Sequence, residues 1–264
     1  VTALQVEIES GCATLTLDRP AQRNAMSTTM LAELNEASAD LADAAGLRGL
    51  LITGAGDSFC SGGDLEAIRD CLHDEEADVV ADSRAQVSLL QQAILNVRRM
   101  PFPVVAAVNG LAAGSGFGLA LACDDRIAGP GARFMAAYGS VGLTPDAGLT
   151  YLLPRIVGDA RAREIILGDQ ALRAGRAKDL GLVNEVVPLD DLLAAGRRRL
   201  RRLGRWAPRS IAATKQLLSA AWGEGFADHL QRERHLFADA CATDDFREGI
   251  EAFDSGRKPR FEGR

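Results

Sequence analysis

Apolar and polar positions alternate at the start of the chain. Leu4, Val6 and Ile8 are followed, across Ser10-Gly11, by Ala13, Leu15 and Leu17, a period of two that predicts a two-stranded hairpin. The period then lengthens: Met30, Leu31, Leu34 and Leu41 recur at helical spacing behind Ser27, a residue suited to an N-cap. Gly49-Leu50-Leu51-Ile52-Thr53-Gly54 is a continuous apolar run stopped by glycine, the pattern of a strand buried on both faces of a parallel sheet. Pro103–Val108 repeats it after a helix predicted over 86–100, a spacing of about 50 residues that suggests a repeated β/α unit. A third strand over 125–128 precedes a hairpin-like pair near Ala132 to Ala136, and Val183–Pro188 reads as the last strand. Helices follow over 190–205, 209–222, 226–240 and 244–253. The pattern places an α/β core in residues 1–188 and a helical region in 189–264. Residues 65–85 are acidic and lack a sustained apolar face; a flexible lid and a solvated helix both fit.

Composition narrows the function classes. The 264 residues are 47% hydrophobic and 25% charged, ordinary for a globular chain. No apolar run reaches the roughly 18–20 residues of a membrane span, and VTALQVEIES lacks the layout of a signal peptide, so a cytoplasmic location is expected. The net charge of −6 argues against nucleic acid as a partner. Arg197-Arg198-Arg199-Leu200-Arg201-Arg202 is better read as a solvated or inter-subunit helix face, because Leu192, Leu193, Leu200 and Leu203 put one side in a core. Five cysteines without a C-x-x-C pair predict reduced thiols, with no disulfide framework and no zinc site. His73, His229 and His235 are too scattered to imply a metal triad.

Chemistry concentrates in three glycine-bearing segments at strand ends: Ser58–Leu65, Asn109–Gly118 and Gly142–Gly148. Glycine there lets backbone N–H groups approach a ligand, and a loop that opens a helix, as at 114–122, offers unpaired donors to negative charge. Two such loops converging could place two N–H donors on one oxygen, the requirement of an oxyanion hole. A dinucleotide fingerprint fails because Leu119 stands where the last glycine is needed, and no P-loop is present.

The segments Thr16-Leu17-Asp18-Arg19-Pro20 with Asn24-Ala25-Met26, Phe59–Leu65, Ala107–Gly110 with Gly114-Ser115-Gly116, Ala122-Cys123-Asp124, Leu153–Gly158, Ala177–Val183 and Asp245–Phe253 resemble the crotonase, or enoyl-CoA hydratase/isomerase, superfamily over essentially the whole chain. The resemblance implies an α/β fold, a crotonase-type spiral of repeated ββα units with a C-terminal helical trimerisation region. It also implies a homo-oligomer, trimer or hexamer. The implied ligand is an acyl-CoA thioester whose carbonyl rests on the amides of Gly63 and Ser115, with coenzyme A part of the substrate and no separate cofactor. Around those loops it implies contacts from Ser61, Asp64, Leu65, Gly114 and Gly118, with Asp64 better suited to fixing its own loop by local hydrogen bonds than to a direct chemical role. At the nucleotide end it implies Arg23 and, from a neighbouring subunit, Phe253; Gly256 stands where the family usually has lysine, so Arg257 or Lys258 would have to substitute.

Departures from the family pattern bear on the reaction. The two glutamates of the family's hydratases fall on Gly118 and Tyr138, and hydration wants a pair of groups, one acting as base and one as acid. Asp146, in Gly142-Leu143-Thr144-Pro145-Asp146-Ala147-Gly148, stands where some family isomerases carry their working aspartate, and its surroundings look closest to the ring-epoxide isomerases of phenylacetyl-CoA breakdown. One carboxylate suffices for a proton shift through a thioester enolate, so Asp146 is expected as acid/base and Tyr138 as an orienting group or a pocket wall. Two other readings of the chain are a hydratase and a non-catalytic acyl-CoA-binding protein. For Asp146 itself, a plain helix cap before 147–156 is the competing role.

Overall fold

Strands form first where the pattern alternates. The computed structural model describes residues 2–264; in it β1 (Leu4–Glu9) and β2 (Cys12–Leu17) pair antiparallel around Ser10-Gly11. Ala13, Leu15 and Leu17 are buried, but Val6 and Ile8 are exposed because β1 is the edge of its sheet. Ser27 caps α1 (Thr28–Asp43) by accepting from the Met30 N–H at 3.2 Å, and α1 buries Met30, Leu31, Leu34 and Leu41 as the spacing requires.

The repeat comes next. β3 (Gly49–Gly54) is followed by β4 (Ser58–Cys60), α2 (Leu65–His73) and α3 (Val79–Arg99). β5 (Val104–Val108) leads to β6 (Leu111–Ala113) and α4 (Ser115–Ala122). β7 (Asp125–Ala128) leads to β8 (Arg133–Met135), α5 (Leu149–Val157) and α6 (Asp159–Gly168). In each turn the first strand joins a six-stranded sheet, ordered β1-β2-β3-β5-β7-β10, and the second joins a four-stranded sheet, ordered β4-β6-β8-β9. The partners β9 (Leu172–Arg173) and β10 (Glu185–Val186) flank α7 (Ala174–Asp179). Neighbours from β2 to β10 run parallel in the large sheet, as do β4, β6 and β8 in the small one. The chain therefore winds as a spiral, and the ends of β4 and β6 come side by side.

Two expectations need correction, and the open choice between a lid and a solvated helix is decided for the helix. The residues near 132–136 form no hairpin: β8 pairs parallel with β6 and antiparallel with the distant β9. The last strand shrinks to Glu185–Val186. The acidic stretch is helical rather than an irregular lid, and α3 begins at Val79, where Asp78 caps it through the N–H groups of Val80 and Ala81. α2 buries no residue and α3 buries only Leu90, Ala93, Ile94 and Val97, which explains the missing apolar stripe.

After β10 come α8 (Leu192–Leu203), α9 (Pro208–Ala220), α10 (Phe226–Cys241) and α11 (Asp244–Asp254). α8 lies against the large sheet: Leu192, Ala195 and Leu200 share a core with Leu51, Val105, Ala107, Ile127 and Val187, so packing runs across residue 188. Leu193, expected in that face, is 41% exposed. The basic run forms the helix's other side, where Arg199 pairs with buried Asp125 at 2.6 Å and Arg197 with Glu9 at 3.5 Å. Leu218, Trp222, Phe226, Phe237 and Phe253 stand exposed on the helical region. All five cysteines are free, and no helix among the described residues is long and apolar enough to cross a membrane.

Candidate active site

The strand ends carry the two glycine loops into contact. Leaving β4, the chain is held by Ser61 N–H to Arg23 O at 3.0 Å and by Met26 N–H to Gly62 O at 2.8 Å. Leaving β6, Gly114 donates to Met135 O at 3.1 Å and turns the chain at φ +52°, a conformation only glycine adopts readily. A side chain on Gly62 would meet Ala113 O at 3.0 Å and Gly114 Cα at 3.5 Å, while one on Gly116 would overlap Cys60 O at 2.3 Å. Beside these contacts sit Gly63, exposed and with open space about it, and Ser115, buried at the start of α4. Neither the Gly63 nor the Ser115 N–H donates a hydrogen bond within the chain among the described residues. Two unpaired amides on touching loops, one at a helix N-terminus, form a donor pair suited to an anionic oxygen.

Tyr138 and Asp146 complete the cluster. The Tyr138 hydroxyl donates to Asp146 Oδ1, and the side-chain position of Gly114 lies 3.8 Å from the Tyr138 Cζ. Tyr138 is buried and Asp146 half-buried. Burial raises the Asp146 carboxyl above the ordinary carboxylate range, and the Tyr138 hydrogen bond pulls it partway back. Burial, then the Asp146 charge, pushes the Tyr138 phenol upward, so it is a neutral donor near pH 7. Asp146 is not the cap of α5: that position belongs to Gly148, with no side-chain cap bond. Cys60 packs under the first loop, and burial lifts its thiol to about 12.

Several supporting residues escape a reading by type and spacing. Asn24, buried with φ +58°, accepts from Arg19 N–H and donates to Ala55 O and Ser58 O. Asn109 donates to Gly54 O, Gly56 O and Ser58 O at 2.9–3.1 Å and accepts from Gly54 N–H. The two asparagines hold the 54–58 connection that aims β4 and its loop. Buried Arg126 donates to Leu182 O, Cys123 O and Ala120 O, closing the C-terminal end of α4. The available signals were asparagine directly after a buried strand, and an arginine inside one.

The remaining candidates divide. Ser61 is half-buried beside Arg23 and Gln22, and Leu65 is exposed at the start of α2, both next to Gly63. Arg23 is exposed, and its carbonyl is tied to that loop. Asp64 is buried, pairs with Arg19 at 2.8 Å and accepts from Ala67 N–H, so its carboxylate serves the loop. Gly118 lines no open space either, because the place of its side chain is filled by Ala147. Phe253 and Lys258 lie exposed on and after α11, and Arg257 beside them is locked to Glu248 at 2.6 Å. A cavity of about 290 Å³ between the hairpin turn and α8, lined by Glu9, Cys12 and arginines of α8, is also separate from the cluster. No group of three or more His, Cys, Asp or Glu that could hold a metal occurs among the described residues.

Comparison with known proteins extends this geometry. The family model described as enoyl-CoA hydratase/isomerase matches residues 7–264. The chain is 40% identical over 263 residues to a probable enoyl-CoA hydratase of Rhodobacter capsulatus, covering 99% of this chain and 98% of that protein. It is 34% identical over 257 residues to the 1,2-epoxyphenylacetyl-CoA isomerase of Escherichia coli, covering 97% of each. The crystal structure of an enoyl-CoA hydratase from Polaromonas sp. JS666 superposes with a TM-score of 0.90 at 35% identity, over 98% of this chain and 99% of that one.

Proposed function

Because this chain belongs to the enoyl-CoA hydratase/isomerase family, with its crotonase fold, we propose that it is an acyl-CoA isomerase that moves a proton through a thioester enolate. In this reading the Gly63 and Ser115 amides hold the thioester oxygen. The Asp146 carboxylate removes a proton from carbon, and the electron pair passes onto that oxygen. The protonated Asp146 then returns the proton two carbons away as the double bond shifts and the enolate collapses. Atoms and electrons balance without a cofactor; coenzyme A travels as part of the substrate. A positioned base contributes roughly 10²–10⁴ in rate, and one oxyanion donor about 3–4 kcal/mol, so both parts are needed.

The observation that carries the proposal is the Tyr138–Asp146 bond beside the two glycine loops. It supplies one carboxylate of raised affinity for protons, fixed on one oxygen, with the other left to carry the proton. Hydration would need a second acid, and the two positions where the family's hydratases keep glutamates are Gly118 and Tyr138. The exposed Trp222, Phe226, Phe237 and Phe253 support self-association through the helical region as part of the same reading.

The test is product analysis and deuterium uptake from heavy water over crotonyl-, 3-hexenoyl- and phenylacetyl-CoA, with Asp146→Asn in parallel. Double-bond migration or α-exchange that Asp146→Asn abolishes, with affinity retained, supports an isomerase. A 3-hydroxyacyl product would assign a hydratase instead, and binding with neither outcome would assign a non-catalytic binding protein.

A further inference from the structure

Gly118 and Ala147 meet at a distance that leaves no room for a side chain. A Cβ on Gly118 would lie 2.4 Å from the Ala147 Cβ and 2.8 Å from the Ala147 carbonyl oxygen, both overlaps. Ala147 is buried and has φ +49°, a conformation that residues with a Cβ seldom adopt. Such a residue persists where its neighbours fix it, and these residues cluster at functional sites. Gly118 stands one turn into α4, the helix that begins with Ser115, and Ala147 directly follows Asp146. α4 and its leading glycine thus touch the Asp146 segment twice: Gly118 against Ala147, and Gly114 against the Tyr138 ring that holds Asp146.

We infer that Gly118 is a positioning residue for the proton shift and, with Ala147, a determinant of reaction specificity. Its missing side chain seats the strained Ala147 turn on α4. That contact fixes where Asp146 stands relative to the Ser115 amide. The same contact fills the volume that a second acid would need, so a glutamate at 118 has nowhere to go unless the Asp146 segment moves away. The inference rests on the reading of Asp146 as the acid/base group.

Four variants test it: Gly118→Ala, Gly118→Ala with Ala147→Gly, Ala147→Gly alone, and Gly118→Glu. Deuterium exchange on the responsive thioester of the panel, its pH profile, and calorimetric affinity are measured for each. Gly118→Ala is expected to slow exchange about 10²-fold, the effect of a displacement near 1 Å, with affinity within threefold and a shifted pH midpoint. The double variant loses the overlap with the Ala147 Cβ and the strained alanine but keeps the approach to the backbone oxygen of residue 147, so it regains part of that loss. Gly118→Glu yields no 3-hydroxyacyl-CoA from crotonyl-CoA. If Gly118→Ala does not fold, Ala147→Gly alone decides, because releasing the turn slows exchange while affinity holds. Exchange and pH profile unchanged in Gly118→Ala or, failing that, in Ala147→Gly, or hydration by Gly118→Glu, would overturn the inference. Asp146→Asn separates the two readings: exchange that survives it defeats the proposed function, whereas exchange lost in Asp146→Asn but untouched in Gly118→Ala defeats only this inference.

Discussion

Tyr138 donates its phenolic hydrogen to Oδ1 of Asp146, eight residues further along the chain, and each group displaces the other's proton affinity. The bond favours the charged carboxylate, while burial opposes it more strongly. Tyr138→Phe therefore leaves the burial without its partial compensation. The acid limb of the pH–rate profile for kcat/KM is expected to move to higher pH, because in the proposed function Asp146 must lose its proton to act as a base. An unmoved limb in Tyr138→Phe would detach the tyrosine from the ionisation that matters.

Asp146 also predicts a stability effect of definite sign. Its folded-state pKa lies above the ordinary carboxylate value, so in the window between the two the folded protein holds a proton that the unfolded chain has lost. Stability from this group falls as pH rises through that window. Asp146→Asn should melt at or above the parent temperature at pH 7, with the gap closing at about pH 4 and below. A variant melting below the parent at pH 7 would contradict this sign.

Asn24→Ala should be costly because the side chain ties three backbone groups around the first loop. It removes three hydrogen bonds at a fully buried site, with about 1–3 kcal/mol lost for each group left unpaired. It also places alanine at φ +58°. A fall in melting temperature of roughly 5 °C or more is expected, with weakened acyl-CoA binding through the 54–58 connection. Asn24→Gly, which suits the backbone but not the bonds, should recover only part of the loss.

Arg199 answers Asp125, whose other oxygen, Oδ1, is buried with no partner. Burial raises the Asp125 carboxyl and Arg199 opposes the rise. Arg199→Leu leaves a carboxylate unpaired under α8, a change that costs about 3–5 kcal/mol when a pair is fully buried and less for this half-exposed arginine. The deficit, read by urea denaturation, should be largest at pH 7–8 and shrink on acidification as Asp125 takes up its proton. A deficit independent of pH would place the loss in packing instead.

Residue patterns made the centre of the large sheet legible because β3 and β5 are continuous apolar runs, bounded by glycine in β3 and begun after Pro103 in β5. The small sheet stayed hidden. Its strands have two or three residues and obtain their pairing from partners as distant as Phe134 and Leu172, a relation no local period records. At the site, the glycine loops and Asp146 were legible as motifs. The Tyr138–Asp146 bond, the loop anchors Asn24 and Asn109, and the Gly118–Ala147 contact were not, since each depends on distances across the spiral. Asp64 was legible in part: its place after Gly63 suggested a residue that fixes the loop, and the pairing with Arg19 that does so depends on a contact 45 residues away in sequence.

Cys60 gives the last consequence. A conjugated thioester is itself an electrophile, open at its β-carbon to conjugate addition by sulfur, and thiolates are the side chains that attack such carbons fastest. With its pKa lifted to about 12 and its surface wholly covered, Cys60 keeps its proton at neutral pH. Its sulfur fills space under the first loop, and under the proposed function it would stay protonated beside a conjugated thioester held there, sparing the loop from alkylation.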